Sequence, residues 1–435
     1  MKPNYIQAKE KGDQERQRGD DAKALQSYKA AINLRPQYAA AHYEIANLIV
    51  KSGKSLDAVA SYAAAYVFSR FEMFEAALMM GRLFLQERLT LEATLLFEKV
   101  PLNKFDPNSK LMYAEALRLE NRLTEACSLA NDIKTQEHHG AYRFLVALYV
   151  STDQTELAKE YLKKAELYDT DGFITDQKIG LFYRTKELNI LRDALFEASN
   201  RFNKNNFYLA QLQALAILTQ IDINDPRPIL NEHHIVDAAL YFKKHVKSGT
   251  LLLGTTPEGL AYAAKHVTID GIGLEFGVRN GDTINSLAKN LPSMTFFGFD
   301  SFQGIPEAWN GEEQYSYSTA GRLPEVESNV QLVVGWYSDT LPTFKPEKPI
   351  AIVNIDCDIY SSTASIFQNL SGHFVEGTII IFDEYIGNES WRNDEYKAFQ
   401  EWVDKYQVQY QYLSVSFYSK QAIVKILSIN LDNSY

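Results

Sequence analysis

Four acidic residues close two apolar runs in the second half of the chain. In "IVNIDCDIYSST" (352–363) Asp356 and Asp358 stand where the run ends, and in "IIIFDEY" (379–385) Asp383 and Glu384 do the same. Carboxylates that converge without basic partners repel one another, and each resists ionisation unless a cation or a proton lies among them. Such a group can hold a hard cation, take a proton from a hydroxyl, or only cap helices and bind water. Further acids lie upstream. "LEFGVRNGDT" (274–283) sets Glu275, Gly277 and Gly281 in an E-x-G-x-x-x-G turn, and Asp300 ends "FFGFD" (296–300), in place to accept hydrogen bonds from a ribose diol. A dinucleotide fingerprint wants a glycine where Arg279 stands, so close approach of a pyrophosphate is disfavoured.

These acids need strands to carry them. "IGLEFGV", "MTFFGFD", "VQLVVGW", "IAIVNID" and "TIIIFDE" read as buried strands; "TINSLAKNL", "STASIFQNLSGHF" and "NDEYKAFQEWVDKYQ" read as helices between or after them. Continuous apolar strands alternating with helices predict a parallel sheet covered on both faces. "YQYLSVSFY", then "SKQ", then "AIVKIL" predicts a tightly joined antiparallel pair at the end. In such sheets ligands lie outside the carboxyl ends of the strands, where each of these acids falls.

The first half has another period. Gly12 and Ala46, Gly19 and Gly53, Ala24 and Ala58, Tyr28 and Tyr62, and Ala31 and Ala65 are each 34 residues apart. Gly81, Ala93 and Phe97, then Ala114, Ala126 and Ala130, keep the spacing within the unit while its residues decay. This resembles the tetratricopeptide repeat, two helices per unit, whose small residues let helices approach and whose aromatics fill the space between pairs. About five or six pairs are expected up to roughly residue 220. Solenoids of this kind present surfaces, so a protein partner or self-association as a homodimer is the expected use; a helical arm without a ligand is the alternative. Two prolines in "INDPRPIL" (223–230) end the pattern, and two helices are expected near 232–247 and 257–266.

Together, "LEFGVRNGDT", "FGFDSFQGIPE", "GWYSDTLP", "VNIDCDIYSST" and "GTIIIFDEY" resemble class I S-adenosylmethionine-dependent methyltransferases, and among them the macrocin O-methyltransferase family, over roughly residues 250–430. The resemblance implies an enzyme that methylates a hydroxyl of a sugar or glycan-like small molecule. It implies that Glu275, Gly277 and Gly281 line the methionine end of S-adenosylmethionine, that Asp300 and Ser301 hold its ribose, and that Trp336 and Tyr337 flank its adenine. It further implies magnesium (Mg2+), with Asp356, Asp383 and Glu384 as ligands; the family commonly has Asp-Asp or Asp-Asn where this chain has Asp383-Glu384. A hard cation would lower the pKa of a coordinated hydroxyl and fix its position. Asp358 is open between substrate orientation, general base and helix cap. The polar stretch 303–329 has the length of a lid, and its Trp309, Tyr315 and Tyr317 could stack on a sugar ring.

The reading is a multidomain chain. Residues 1–222 form an all-α tetratricopeptide-type solenoid, 223–270 a linker with cap helices, and 271–430 an α/β Rossmann-like methyltransferase fold with a terminal antiparallel strand pair. A metal-independent methyltransferase, or a repeat scaffold with a degenerate cofactor domain, are the alternatives. The net charge of −11 argues against a nucleic-acid surface. No stretch has the ~18 apolar residues of a membrane span. With two cysteines, Cys127 and Cys357, and no apolar leader, a cytoplasmic protein is expected.

Overall fold

The structure, a computed structural model, describes residues 2–431 apart from 55, 88, 121, 135–138, 153, 203–205 and 247–249. The chain divides into two compact units, Met1–Asp169 and Thr170–Tyr435.

The first unit is helical. Its helices follow as antiparallel neighbours, beginning Asn4–Gln17 with Asp21–Leu34, Ala39–Lys51 with Val59–Phe68, and Phe74–Gln86 with Thr90–Phe97. The 34-residue spacing has a steric cause. A Cβ on Gly12 would stand 2.6 Å from the Tyr28 ring, and one on Gly81 would stand 2.4 Å from the Phe97 ring. The first helix of a pair thus gives up a side chain so that an aromatic of the second can pack close against it. Tyr28, Tyr62 and Phe97 are wholly buried, each contributing about 1.5–3 kcal/mol of apolar burial. The tyrosine hydroxyls stay satisfied by the same device in both repeats. Tyr28 donates to Asp13 Oδ1 at 3.0 Å and Tyr62 to Asn47 Oδ1 at 2.7 Å.

The second unit is built on an eight-stranded sheet: β1 (Leu251–Leu252), β2 (Ile272–Phe276), β3 (Phe296–Asp300), β4 (Val330–Val334), β5 (Ile350–Ile355), β6 (Phe374–Phe382), β7 (Gln409–Val415) and β8 (Ala422–Ser428). The order is β1-β7-β8-β6-β5-β2-β3-β4. β8 runs antiparallel to both β6 and β7, and the remaining pairings are parallel. Every residue of β2 and β5 is buried, as expected of strands covered on both faces. From β2 the chain moves outward through β3 to β4, then returns to place β5 on the other side of β2. That reversal is the switch point beside which ligands bind in open α/β sheets.

Helical pairing continues into this unit with Phe173–Thr185 and Leu188–Arg201, followed by Phe207–Thr219. The last of these, Phe207–Thr219, also belongs to the sheet's own core. Ala210 and Ala214, with Val236, Ala239 and Phe242 of the helix His234–His245, join Tyr412 and Val424 in one apolar cluster. Polar contacts fix the same packing. Gln211 Nε2 donates to the Phe417 carbonyl at 3.2 Å, and the Tyr241 and Tyr412 hydroxyls lie 3.1 Å apart.

Candidate active site

Hydrogen bonds align the strand ends. The Gly277 N–H donates to the Phe299 carbonyl, Gly335 to Asp300, Asp356 to Phe276 and Asp383 to Ile355, all at 2.9–3.0 Å. The ladder therefore continues one residue past each strand and fixes the backbones that carry the acids. Above these ends lies a cavity of about 650 Å³.

On its β3–β4 side the cavity meets Asp300, Ser301, Trp336 and Tyr337. Asp300 is set by two backbone donors, Arg279 N–H on Oδ2 at 2.7 Å and Phe302 N–H on Oδ1 at 2.6 Å. Each oxygen keeps a lone pair for a further donor. Tyr337 packs edge-on against Phe276, with ring centroids 5.4 Å apart. At the centre, Gly277 has φ +96° and presents no side chain; a Cβ there would stand 1.7 Å from the Asp356 carbonyl oxygen. Only glycine fits that approach.

On the β5–β6 side the wall carries Asp356, Asp358, Asp383 and Glu384. Burial first, then repulsion from Asp383 and Asp358, pushes the Asp356 carboxyl well above the usual range. Asp383 is raised by burial and by Glu384. Asp358 is pushed up to about 7 by burial and by the charges of Glu384 and Asp383. Asp358 has φ +63°, and the Ile359 N–H closes a three-residue turn across it onto the Cys357 carbonyl at 2.6 Å. That sparsely populated backbone aims its carboxylate at the cavity. The helix Tyr360–Leu370 starts without a side-chain cap, so capping is not the role of Asp358.

Two expected cofactor residues are not on the wall. Glu275 is wholly buried beneath it, accepting from Thr283 Oγ1 at 2.9 Å and Asn354 Nδ2 at 3.1 Å. Burial pushes its carboxyl up to about 8. Gly281, φ +82°, opens the helix Asp282–Asn290. From the 303–329 stretch Tyr317 reaches the cavity, whereas Trp309 and Tyr315 do not.

The expected metal set needs correction. Among the described residues no group of three His, Cys, Asp or Glu side chains is placed to hold a metal ion. Glu384 is turned to Lys420, whose Nζ lies 2.9 Å from Oε2 and 3.3 Å from Oε1. Asp383 accepts from Gln421 Nε2. Asp356 and Asp383 are buried and raised together, whereas Glu384 is engaged by Lys420.

Lys420 and Gln421 come from the β7–β8 turn and escape sequence reasoning, because nothing in "SKQ" shows that the hairpin folds back onto the end of β6. Glu395 was also missed, though it leaves a signal. It shares the buried stripe of the helix Glu395–Lys405 with Ala398, Phe399 and Trp402, where a carboxylate is out of place. Burial and the charges of Asp358, Asp383 and Glu384 push its carboxyl well up.

Residues 264–411 match the family model of macrocin-O-methyltransferase (TylF), and residues 12–53 match a TPR repeat model. The chain thus joins a tetratricopeptide repeat region to a TylF-type α/β domain. A tetracenomycin-C 4'-O-methyltransferase acting on a rhamnosyl derivative, from Streptomyces olivaceus, is 27% identical over 157 residues, which are 29% of this chain and 59% of that protein. Demethyldecarbamoylnovobiocin O-methyltransferase of Streptomyces niveus is 31% identical over 134 residues, 26% of this chain and 50% of the relative. The chain spans about half the length of the curated relatives it matches. The solved O-methyltransferase NovP aligns at 19% identity and a TM-score of 0.34, covering 42% of this chain and 83% of that one. No helix among the described residues is long and apolar enough to cross a membrane.

Proposed function

We propose that the TylF-type domain transfers a methyl group from S-adenosylmethionine to a hydroxyl of a sugar or similar polyhydroxyl acceptor. The observation that carries this reading is one cavity at the switch point, with a doubly fixed Asp300 on one side and Asp356, Asp358 and Asp383 on the other. Asp300 and Ser301 would accept and donate to the ribose hydroxyls, while Trp336 and Tyr337 would flank the adenine. Gly277 leaves room for the methionine end, and Glu275 supports that loop from below. S-adenosylmethionine supplies an electrophilic methyl on a sulfonium, so the chain's task is to align a hydroxyl and take its proton. Asp358 suits that task, since a carboxylate raised to about 7 is a useful base near neutrality. Magnesium held by Asp356 and Asp383 would acidify and orient the acceptor hydroxyl.

Calorimetric titration of S-adenosylmethionine, with and without magnesium, tests the reading; no binding under either condition overturns it. Asp356→Ala and Asp383→Ala are each expected to abolish metal-dependent turnover, measured as release of S-adenosylhomocysteine. Full activity in EDTA would refute the metal role. It would favour the second reading, a metal-independent methyltransferase, which the Lys420–Glu384 ion pair supports.

The domain assignment that goes with this function is repeats over 1–222, linker and cap helices over 223–270 and the catalytic domain over 271–430. The repeats would hold a protein partner or a second copy of the chain, and the enzyme would work in the cytoplasm.

A further inference from the structure

The cavity wall carries five carboxylates, Asp300, Asp356, Asp358, Asp383 and Glu384, and among the described residues that line it Arg279 is the one cation. Lys420, the nearest counter-charge to the β6 acids, is engaged with Glu384. Arg279 is not spent in this way. Its backbone N–H fixes Asp300, its φ is +47°, and its guanidinium lies over the Tyr317 ring, 5.0 Å from the centroid. It pairs with none of the wall carboxylates. A cation kept free among five acids, on a left-handed backbone that turns its side chain into the cavity, is placed for an incoming anion.

We infer that Arg279 binds the carboxylate of the methionine end of S-adenosylmethionine. The inference rests on the proposed methyltransferase function. The acid-rich wall favours the sulfonium and the ammonium of that cofactor but repels its carboxylate. Arg279 stands in the turn after β2, two residues past Gly277, beside the acid assigned to the ribose. Its planar fork matches a carboxylate with two parallel hydrogen bonds, which a lysine does not reproduce. The cation–π contact with Tyr317 holds the guanidinium beside the cavity before the ligand arrives. The same arginine explains how a loop lacking the middle glycine of a dinucleotide fingerprint still serves a cofactor. The site takes a carboxylate at the place where a pyrophosphate would otherwise approach the backbone.

The experiment compares S-adenosylmethionine with its decarboxylated analogue by calorimetry, on the unmodified full chain and on Arg279→Met and Arg279→Lys. The unmodified protein is expected to bind the analogue at least about tenfold more weakly than the full cofactor. Arg279→Met is expected to weaken S-adenosylmethionine by the same factor and to leave the analogue within about twofold, with Arg279→Lys between. Equal affinity of the unmodified protein for both ligands overturns the inference without relying on any variant. So does a loss in Arg279→Met that is the same for both ligands, or one confined to the KM of the acceptor. Failure of the unmodified protein to bind S-adenosylmethionine at all is a different result, and it overturns the methyltransferase reading instead.

Discussion

Replacing Glu275 with glutamine should stabilise the second unit at neutral pH. In the folded protein this carboxyl is wholly buried and its pKa rises from 4.5 to about 8. At pH 7 the folded form therefore holds a proton that the unfolded form has released. The sign follows from linkage. Below about pH 4.5 both forms are protonated and stability is full; it falls as the pH rises, until the folded carboxyl ionises near 8. At about 1.4 kcal/mol per pH unit, the loss is about 3 kcal/mol at pH 7 and about 5 kcal/mol above pH 8. Glutamine has the same shape and no proton to acquire. Its amide can pair with Asn354, because Asn354 Oδ1 is buried without a partner and can turn to accept the new N–H. The four tryptophans, Trp309, Trp336, Trp391 and Trp402, all lie in the second unit, so urea unfolding followed by their fluorescence reads this unit. Glu275→Gln should gain about 3 kcal/mol at pH 7 and less than about 0.5 kcal/mol at pH 4.5. Equal stability at pH 7, or an unchanged difference across that range, would refute the reasoning.

The other outcomes concern the two flanks of the site. Gly277→Ala puts a Cβ against the Asp356 carbonyl on a backbone at φ +96°; it should cost at least about 2 kcal/mol in the same unfolding assay and remove S-adenosylmethionine binding, and wild-type behaviour in both would count against the close approach. Lys420→Met removes a partly exposed ion pair, so it should cost under about 1 kcal/mol. By freeing Glu384 it should tighten Mn2+ binding, followed by electron paramagnetic resonance, at least about threefold; unchanged or weaker binding would mean that Glu384 has no part in metal affinity.

Strand ends were legible in the sequence because they join two strong signals: an unbroken apolar run and a sudden acid. "IAIVNID" and "TIIIFDE" could be little else than covered strands, and the acids mark where cover stops. The 34-residue step was legible for a similar reason, since a small residue facing an aromatic is a steric requirement that recurs from unit to unit. What escaped reading is what depends on rotamers and on distant chain. Glu384 looked like a ligand because its position in sequence matches one. Its partner Lys420 lies 36 residues further on, and an ion pair between residues so separated leaves no local pattern. Glu275 looked like a wall residue because its neighbours Phe276 and Gly277 close the strand. Strand alternation alone does not say whether it points into the cavity or beneath it. That the helix Phe207–Thr219 also buries a face against the sheet's core was equally illegible, because a helical period does not record which core it faces.

The β7–β8 hairpin has a consequence for the order in which the protein is made. The strands that bear Asp300, Asp356 and Asp383 leave the ribosome well before Lys420 and Gln421 do. Until then the β6 acids lack Gln421 and Lys420, and β6 shows an unpaired edge where β8 will later pair. A nascent chain thus carries its sheet for some time with a charged, half-finished cavity wall and an exposed strand. Chaperone engagement during synthesis should concentrate on that interval, and release should coincide with emergence of the last strand.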